Sequence, residues 1–364
     1  MSSPVGDRIA RRLPGLWPGG ALALASAALF GASTPLAKVL LGTTDPWMLA
    51  GLLYLGSGIG LLAVRLARRS AAPGREEMAL QGEDWPWFGA AVVAGGVIGP
   101  LLLMLGLALT PAATASLLLT LEGTFTALVA WIVFREHFHW RVGIGMAAIS
   151  AGALSLAWTG SVSLEGLAGP LLIAGAGLAW AIDNNLTRKV SLGDPVQIAM
   201  LKGLVAGIAN LLLALAAGGA LPDPISLALA GVVGFAGYGV SLVLFVTALR
   251  HIGAARTGAY FATAPFVGAA LAIVVLGEPA TPQMLAAGAL MGLGVWLHLG
   301  ESHAHAHKHE ETVHAHRHRH DDHHRHEHGP DDPPGEPHTH RHVHAPLKHA
   351  HVHYPDAHHG HSHR

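Results

Sequence analysis

The chain has 364 residues, of which 51% are apolar and 12% charged, with a formal net charge of −1 and no cysteine. A soluble enzyme carries roughly twice that charged fraction, the balanced charge offers no basic field for nucleic acid, and the missing cysteines exclude disulfides and thiolate metal sites. The distribution is uneven: the last 64 residues hold 23 of the 27 histidines, and the first 300 are mostly long apolar runs.

Residues 1–16 form a short N-terminal segment carrying Arg8, Arg11 and Arg12 ahead of the first apolar run. Ala25-Ser26-Ala27 resembles a signal-peptide cleavage site, but that run has an internal counterpart described below, and the arginines are better read as holding the N-terminus in the cytoplasm. Apolar runs then predict ten transmembrane helices at 17–40, 46–67, 85–109, 112–134, 140–158, 168–187, 195–217, 225–249, 255–276 and 280–299. Each must cross about 30 Å of hydrocarbon, and abundant glycine with few aromatics suits close helix packing in lipid. With the N-terminus inside, the cytoplasmic ends collect thirteen arginine and lysine residues, from Arg8 to Arg256, and the opposite side only Lys38. This bias predicts a multi-pass protein of the inner (plasma) membrane with both termini cytoplasmic.

The spans repeat. Ala112-Ala113 through Val133 and Glu136 runs in step with Ala254-Ala255 through Val275 and Glu278, at a constant offset of 142 residues. Ala127 matches Ala269, Ala130 matches Ala272, and Gly152 matches Gly294. Asp45-Pro46 and Asp194-Pro195 open spans two and seven, each pairing an Asp N-cap with Pro at the first helical position. Ser33-Thr34-Pro35-Leu36-Ala37-Lys38 likewise parallels Asp183-Asn184-Asn185-Leu186-Thr187-Arg188. Five spans per repeat is an odd number, so the halves (17–158 and 159–299) are inverted relative to one another, an arrangement suited to secondary transport.

On these paired segments, the ten-span count and Trp180-Ala181-Ile182-Asp183-Asn184-Asn185-Leu186-Thr187-Arg188-Lys189, the chain resembles the drug/metabolite transporter superfamily in its EamA-type branch, over residues 20–299. The resemblance implies cytoplasmic termini, an exporter-like secondary transporter and a substrate cavity between the repeats. It leaves the cargo open. One departure is that Glu122-Gly123 stands where the second repeat has Ala264-Pro265, and many relatives carry Pro in the first repeat too.

Charged groups inside the spans are costly and mark candidate sites. Glu122, in the middle of span four, is a candidate protonatable coupling group or cation ligand, or else a protonated carboxyl hydrogen-bonded to a neighbouring helix. Asp183, Asn184 and Asn185 spread around roughly 200° of span six, and Lys202 enters at comparable depth in span seven. An Asp183–Lys202 ion pair would satisfy both charges; a gate or substrate contact is the functional alternative. Asn210 extends the same polar path, and Ser33 and Thr34 offer a matching surface in the other half. His137 and His139 flank Phe138 in a cytoplasmic turn at a spacing too common to define a site, and His298 sits at the mouth of the tail, where it could hand ions to it.

From 300 onward the chain is a His-x-His tail, predicted to be disordered for want of an apolar period. Its candidate metal ligands are His303, His305, His307, His309, His314, His316, His318, His320, His338, His340, His342, His344, His349, His351 and His353. Imidazoles on a flexible chain close around zinc, nickel, cobalt or copper, and they gain charge as pH falls toward 6. No cofactor is required by anything else in the chain, and no nucleophile constellation, phosphate loop or HExxH-type site suggests an enzyme.

The expected function is therefore secondary transport, in the export direction, of a small solute, with a divalent transition metal as the first cargo to consider. Export of a metabolite or amino acid, regulated by metal or pH through the tail, is the close alternative. A membrane-anchored metal buffer without transport is a third. The expected partners are the solute or metal ion and the lipid bilayer, with a homodimer compatible with the pattern.

Overall fold

Where Asp precedes Pro at a helix start, the carboxylate takes up first-turn backbone N–H groups, which have no carbonyl a turn earlier to bond. In the computed structural model Asp45 accepts from Trp47 N (2.9 Å) and Met48 N (3.2 Å), and Asp194 from Val196 N (2.9 Å). The structure describes residues 19–71, 80, 82–133, 140–158, 164–190, 194–299, 303–308, 312–318, 338–344 and 348–353. The N-terminal segment 1–16, His137, His139, His309 and His320 lie outside these.

Among the described residues ten helical units precede the tail. They are α1 (Gly19–Leu40), α2 (Pro46–Ala71), α3 (Trp85–Ala91 through a π-helical stretch, Val92–Ile98, to Gly99–Leu109) and α4 (Ala112–Leu118 and Leu121–Ile132). Next come α5 (Trp140–Ala157), α6 (Leu164–Val190), α7 (Pro195–Ala216) and α8 (Pro224–Gly234, a π-helical stretch Phe235–Val240, then Ser241–Phe261), followed by α9 (Ala264–Leu276) and α10 (Pro282–Leu299). Among the described residues eight helices are long and apolar enough to cross a membrane, and α9 and α10 add shorter apolar ones. Many of their large apolar side chains face outward, Ile225 and Val274 for example, as lipid contact requires.

The principal contacts run between the halves. Helix α2 packs on α7 and α5 on α10; α1 packs on α8 and α9, just as α6 packs on α3 and α4. The core is built of Leu49, Leu53, Leu103, Met104 and Leu107, all fully buried. At the α2–α7 crossing the backbones nearly touch, since a methyl group on Gly203 would lie 2.5 Å from Gly58 N. Arg65 at the end of α2 also reaches the Asp194 cap of α7, at 3.9 Å.

Three expectations need correction. Span four is not one helix; it is interrupted at Leu119 and Thr120, where bonds from Thr120 N to Leu117 O and from Glu122 N to Leu119 O close tight three-residue turns. Spans eight and nine do not part between 249 and 255. The helix continues to Phe261 and breaks at Ala262 and Thr263, because Gly253 alone does not stop a helix, whereas Pro265 lacks an N–H and crowds the preceding turn. The two breaks lie 143 residues apart, within one residue of the repeat's offset. Within the tail, four stretches are strands where no regular structure was expected: β1 (His303–Lys308) antiparallel to β4 (Lys348–His353), and β2 (Thr312–His318) antiparallel to β3 (His338–His344). Alternating His-x-His has the two-residue period of a strand, even without an apolar face.

Candidate functional site

The interruption of α4 creates a helix N-terminus within the span, and Glu122 occupies its first turn. A carboxylate is favoured there by the partial positive charge of a helix N-terminus, and the Glu122 N–H itself bonds to Leu119 O. The backbone of Glu122 packs against Gly177 of α6, and its Oε1 accepts a hydrogen bond from Asn184 Nδ2 at 2.8 Å. Gly177, Trp180 and Asn184 follow at intervals of three and four residues and share one face of α6.

That face is not the lipid face. Leu171, Leu178 and Ile182 are exposed and form the outer stripe of α6. Asn184 is exposed as well, yet lies roughly 140° around the helix from that stripe. It is therefore exposed on a side of α6 turned away from that stripe, beside Glu122.

One residue round, Asp183 points into protein. It is 5% exposed and forms an ion pair with Lys202 of α7, itself 7% exposed. The other carboxylate oxygen accepts from Thr187 Oγ1 at 2.9 Å. Asn185 donates to Thr126 O (3.2 Å) and Ala181 O (2.9 Å), which ties α6 to α4. Asp183, Lys202 and Asn185 are thus mutually or locally satisfied, as buried polar groups must be.

The π-helical stretch of α3 supplies the next layer. Its i to i+5 winding leaves carbonyls available to side chains. Gly95 O accepts from Tyr54 OH (2.7 Å) and Trp180 Nε1 (2.9 Å), and Gly96 O accepts from Asn210 Nδ2 (2.9 Å). Only glycine fits at 95, where any Cβ would overlap the Asp183 carboxylate. Aromatic rings line the adjoining region: Phe30 of α1 lies 5.8 Å from both Trp180 and Tyr238 and 5.4 Å from Phe261, while Tyr54 and Tyr238 are 5.3 Å apart. Ser33 and Thr34 are buried, Ser33 donating to Phe30 O at 2.6 Å.

The structure thus links Glu122, Asn184, Asp183, Lys202, Asn185 and Asn210 through α3, α4, α6 and α7, and sets Ser33 beside the aromatic layer. Thr34 is buried next to Ser33 on the same helix. Tyr54, Gly95, Gly96 and Tyr238 were not anticipated; the Gly95-Gly96 pair inside an apolar run is the one signal that marked the place. A second missed group lies at the far end of the repeats. Glu278 caps the start of α4 by accepting from Ala112 N and Ala113 N, both at 2.7 Å, while Lys38 donates to Leu107 O (2.5 Å) and Thr110 O (3.0 Å) at the end of α3. Opposite charges thereby complement the two helix ends that meet there, one from each half of the chain.

Among the described residues no three His, Cys, Asp or Glu side chains group as a metal centre. The candidate tail ligands pair by backbone register: His303 opposite His353, His305 opposite His351, His307 opposite His349, His314 opposite His342, His316 opposite His340 and His318 opposite His338.

Comparison with known proteins gives three findings. The sequence profile of the EamA-like transporter family matches twice, over residues 17–158 and 167–300. An uncharacterized transporter of Methanothermobacter thermautotrophicus is 29% identical over 296 residues, covering 78% of this chain and 86% of that protein. A crystal structure at 18% identity superposes with a TM-score of 0.57, covering 76% of this chain and 95% of the other, a likeness of fold.

Proposed function

This chain belongs to the EamA-like transporter family, and from that premise we propose that it is a secondary transporter that exports a small organic solute by alternating access between its inverted repeats. The observation that carries the reading is the interrupted α4, which sets the Glu122 carboxylate against Asn184 of α6, at a contact between the halves. Discontinuous helices near the membrane midplane are where such transporters bind solute and coupling ion. Glu122 is the coupling group in this reading, and Asp183–Lys202 is a structural pair that holds α6 against α7.

A divalent metal is the weaker cargo. Asp183 is committed to Lys202, so the site offers such an ion one carboxylate, whereas transition metals take about four nitrogen, sulfur or oxygen ligands. The histidine register of the tail favours a separate role, in which metal bound on the cytoplasmic side adjusts transport.

Flux into proteoliposomes under an imposed proton gradient tests the proposal. Gradient-driven, protein-dependent movement of an organic solute is the expected result, lost in Glu122→Gln. Zinc, nickel or cobalt flux in its place would make the metal the cargo. Metal tolerance in cells that survives Glu122→Gln but disappears on truncation after Gly300 would mark a buffer rather than a transporter.

A further inference from the structure

Strand pairing in the tail sorts its histidines into fixed sets. In the β1–β4 ribbon the register sets His303 opposite His353, His305 opposite His351 and His307 opposite His349. The β2–β3 ribbon repeats the pattern around His316 opposite His340. Alternate residues of a strand share a face, so each ribbon carries three adjoining histidine pairs on one face. Opposed residues lie about 5 Å apart and the next pair about 7 Å along the strands, so two adjoining pairs make a compact set of four. The other face of β1–β4 carries alanine and valine and, at one end, Lys308 opposite Lys348. Like charges directly opposed weaken a sheet, and a two-stranded ribbon is marginal in water by itself. The histidine face is where such a ribbon can gain what it lacks.

We propose that each ribbon takes one divalent transition-metal ion on four histidines, two adjoining cross-strand pairs, and that the ion holds the strands together. His305 and His351 belong to either choice of adjoining pairs in β1–β4, as His316 and His340 do in β2–β3. The middle pair is therefore indispensable, and each outer pair can stand in for the other. Four nitrogens at about 2 Å are an ordinary tetrahedral set for zinc, whereas magnesium takes oxygen ligands. Because the ligands come from both ends of the tail, binding and strand pairing are one event. This gives the tail's part in the transporter reading a defined ligand set, and it does not depend on which solute is carried.

Cobalt titration of the full chain in detergent, followed through the visible bands of tetrahedral Co²⁺, tests this. Two tight equivalents per chain, displaced by zinc and not by magnesium, are the expected result. Moving the middle pair of β1–β4 to the other face, with His305→Ala, Ala306→His, Ala350→His and His351→Ala together, keeps the number of histidines. It should weaken one equivalent at least about tenfold, as loss of two of four ligands does. Removing an outer pair, His303→Ala with His353→Ala, costs two histidines yet should leave both equivalents within about threefold. Metal held by the number of imidazoles alone gives the reverse order, a silent swap and a damaging removal. That reversal, fewer than two equivalents, or displacement by magnesium would each overturn the assignment. Proteoliposome flux reports on transport separately. No flux with both equivalents intact sinks the transporter reading and leaves the sites; flux from a chain without tight equivalents sinks the sites and leaves transport.

Discussion

At Asp183 and Lys202 two opposite charges are held inside the protein as a buried ion pair. Removing one partner from such a pair costs about 3–5 kcal/mol, whereas replacing both can be nearly neutral. Asp183→Asn and Lys202→Met should therefore each lower the thermal midpoint sharply, and the double variant should recover most of the loss. If the double variant is no better than the single ones, the pair has a role beyond mutual neutralisation. Asp223 presents a different case, exposed at the start of α8. The Ser226 hydroxyl, together with the N–H groups of Ser226 and Ile225, holds its carboxyl below the ordinary carboxylate value. Its folded value is the lower one, so its contribution is complete above the unfolded pKa and disappears as pH falls through the folded one. Asp223→Ala should lower the melting temperature at pH 7 and approach the parent protein near pH 3. Glu122, Asp183 and Lys202 were legible from sequence, since charge within an apolar span announces itself. Tyr54 and Tyr238 were not, because an aromatic residue in a membrane helix looks the same whether it faces lipid or a site.

The same contrast holds for whole elements. Helix starts at Asp45-Pro46 and Asp194-Pro195 were readable because capping is local chemistry. The break at Leu119–Thr120 was not, as neither residue is a breaker and the interruption is stabilised by packing around it. Its partner at Ala262–Thr263 had a visible cause in Pro265. The π-helical stretch of α3 depends on Gly95, and Gly95→Val should push Asp183 off Lys202, at a cost of about 1–3 kcal/mol or more for overpacking. Loss of melting temperature comparable to that of Asp183→Asn would confirm the shared cause. Glu278 belongs at this scale too, because it joins the end of α9 to the start of α4. Glu278→Ala leaves two backbone donors without their acceptor, worth about 1–3 kcal/mol. A single cysteine introduced near Pro111, in a chain that otherwise has none, should then react faster with a membrane-impermeant thiol reagent. An unchanged rate would show that the cap does not help to close that end.

Across the whole molecule, the two repeats were recognisable at fixed offset because the duplicated pattern includes breakers and charges as well as apolar composition. The tail illustrates the opposite limit. Its histidines declared metal chemistry at once, but which stretch pairs with which could not be read, as every His-x-His run is compatible with every other. Truncation after Gly300 should leave flux by metal-free protein unchanged and abolish any response of that flux to micromolar zinc. Flux that collapses without the tail would make those residues part of the transport path.

The α2–α7 crossing has one more consequence. Gly58 and Gly203 come from different halves of the chain, and their backbones meet with no side chain between them. In lipid, where apolar surface gains nothing by leaving one hydrocarbon for another, such backbone contact is a main source of association. The seam is therefore a recognition surface between two folded pieces as much as a fixed axis within one. If the gene were divided between residues 158 and 164 and the fragments produced together, they should find each other in the bilayer and rebuild the carrier. A leucine at position 203 should keep each fragment inserted but leave the two apart.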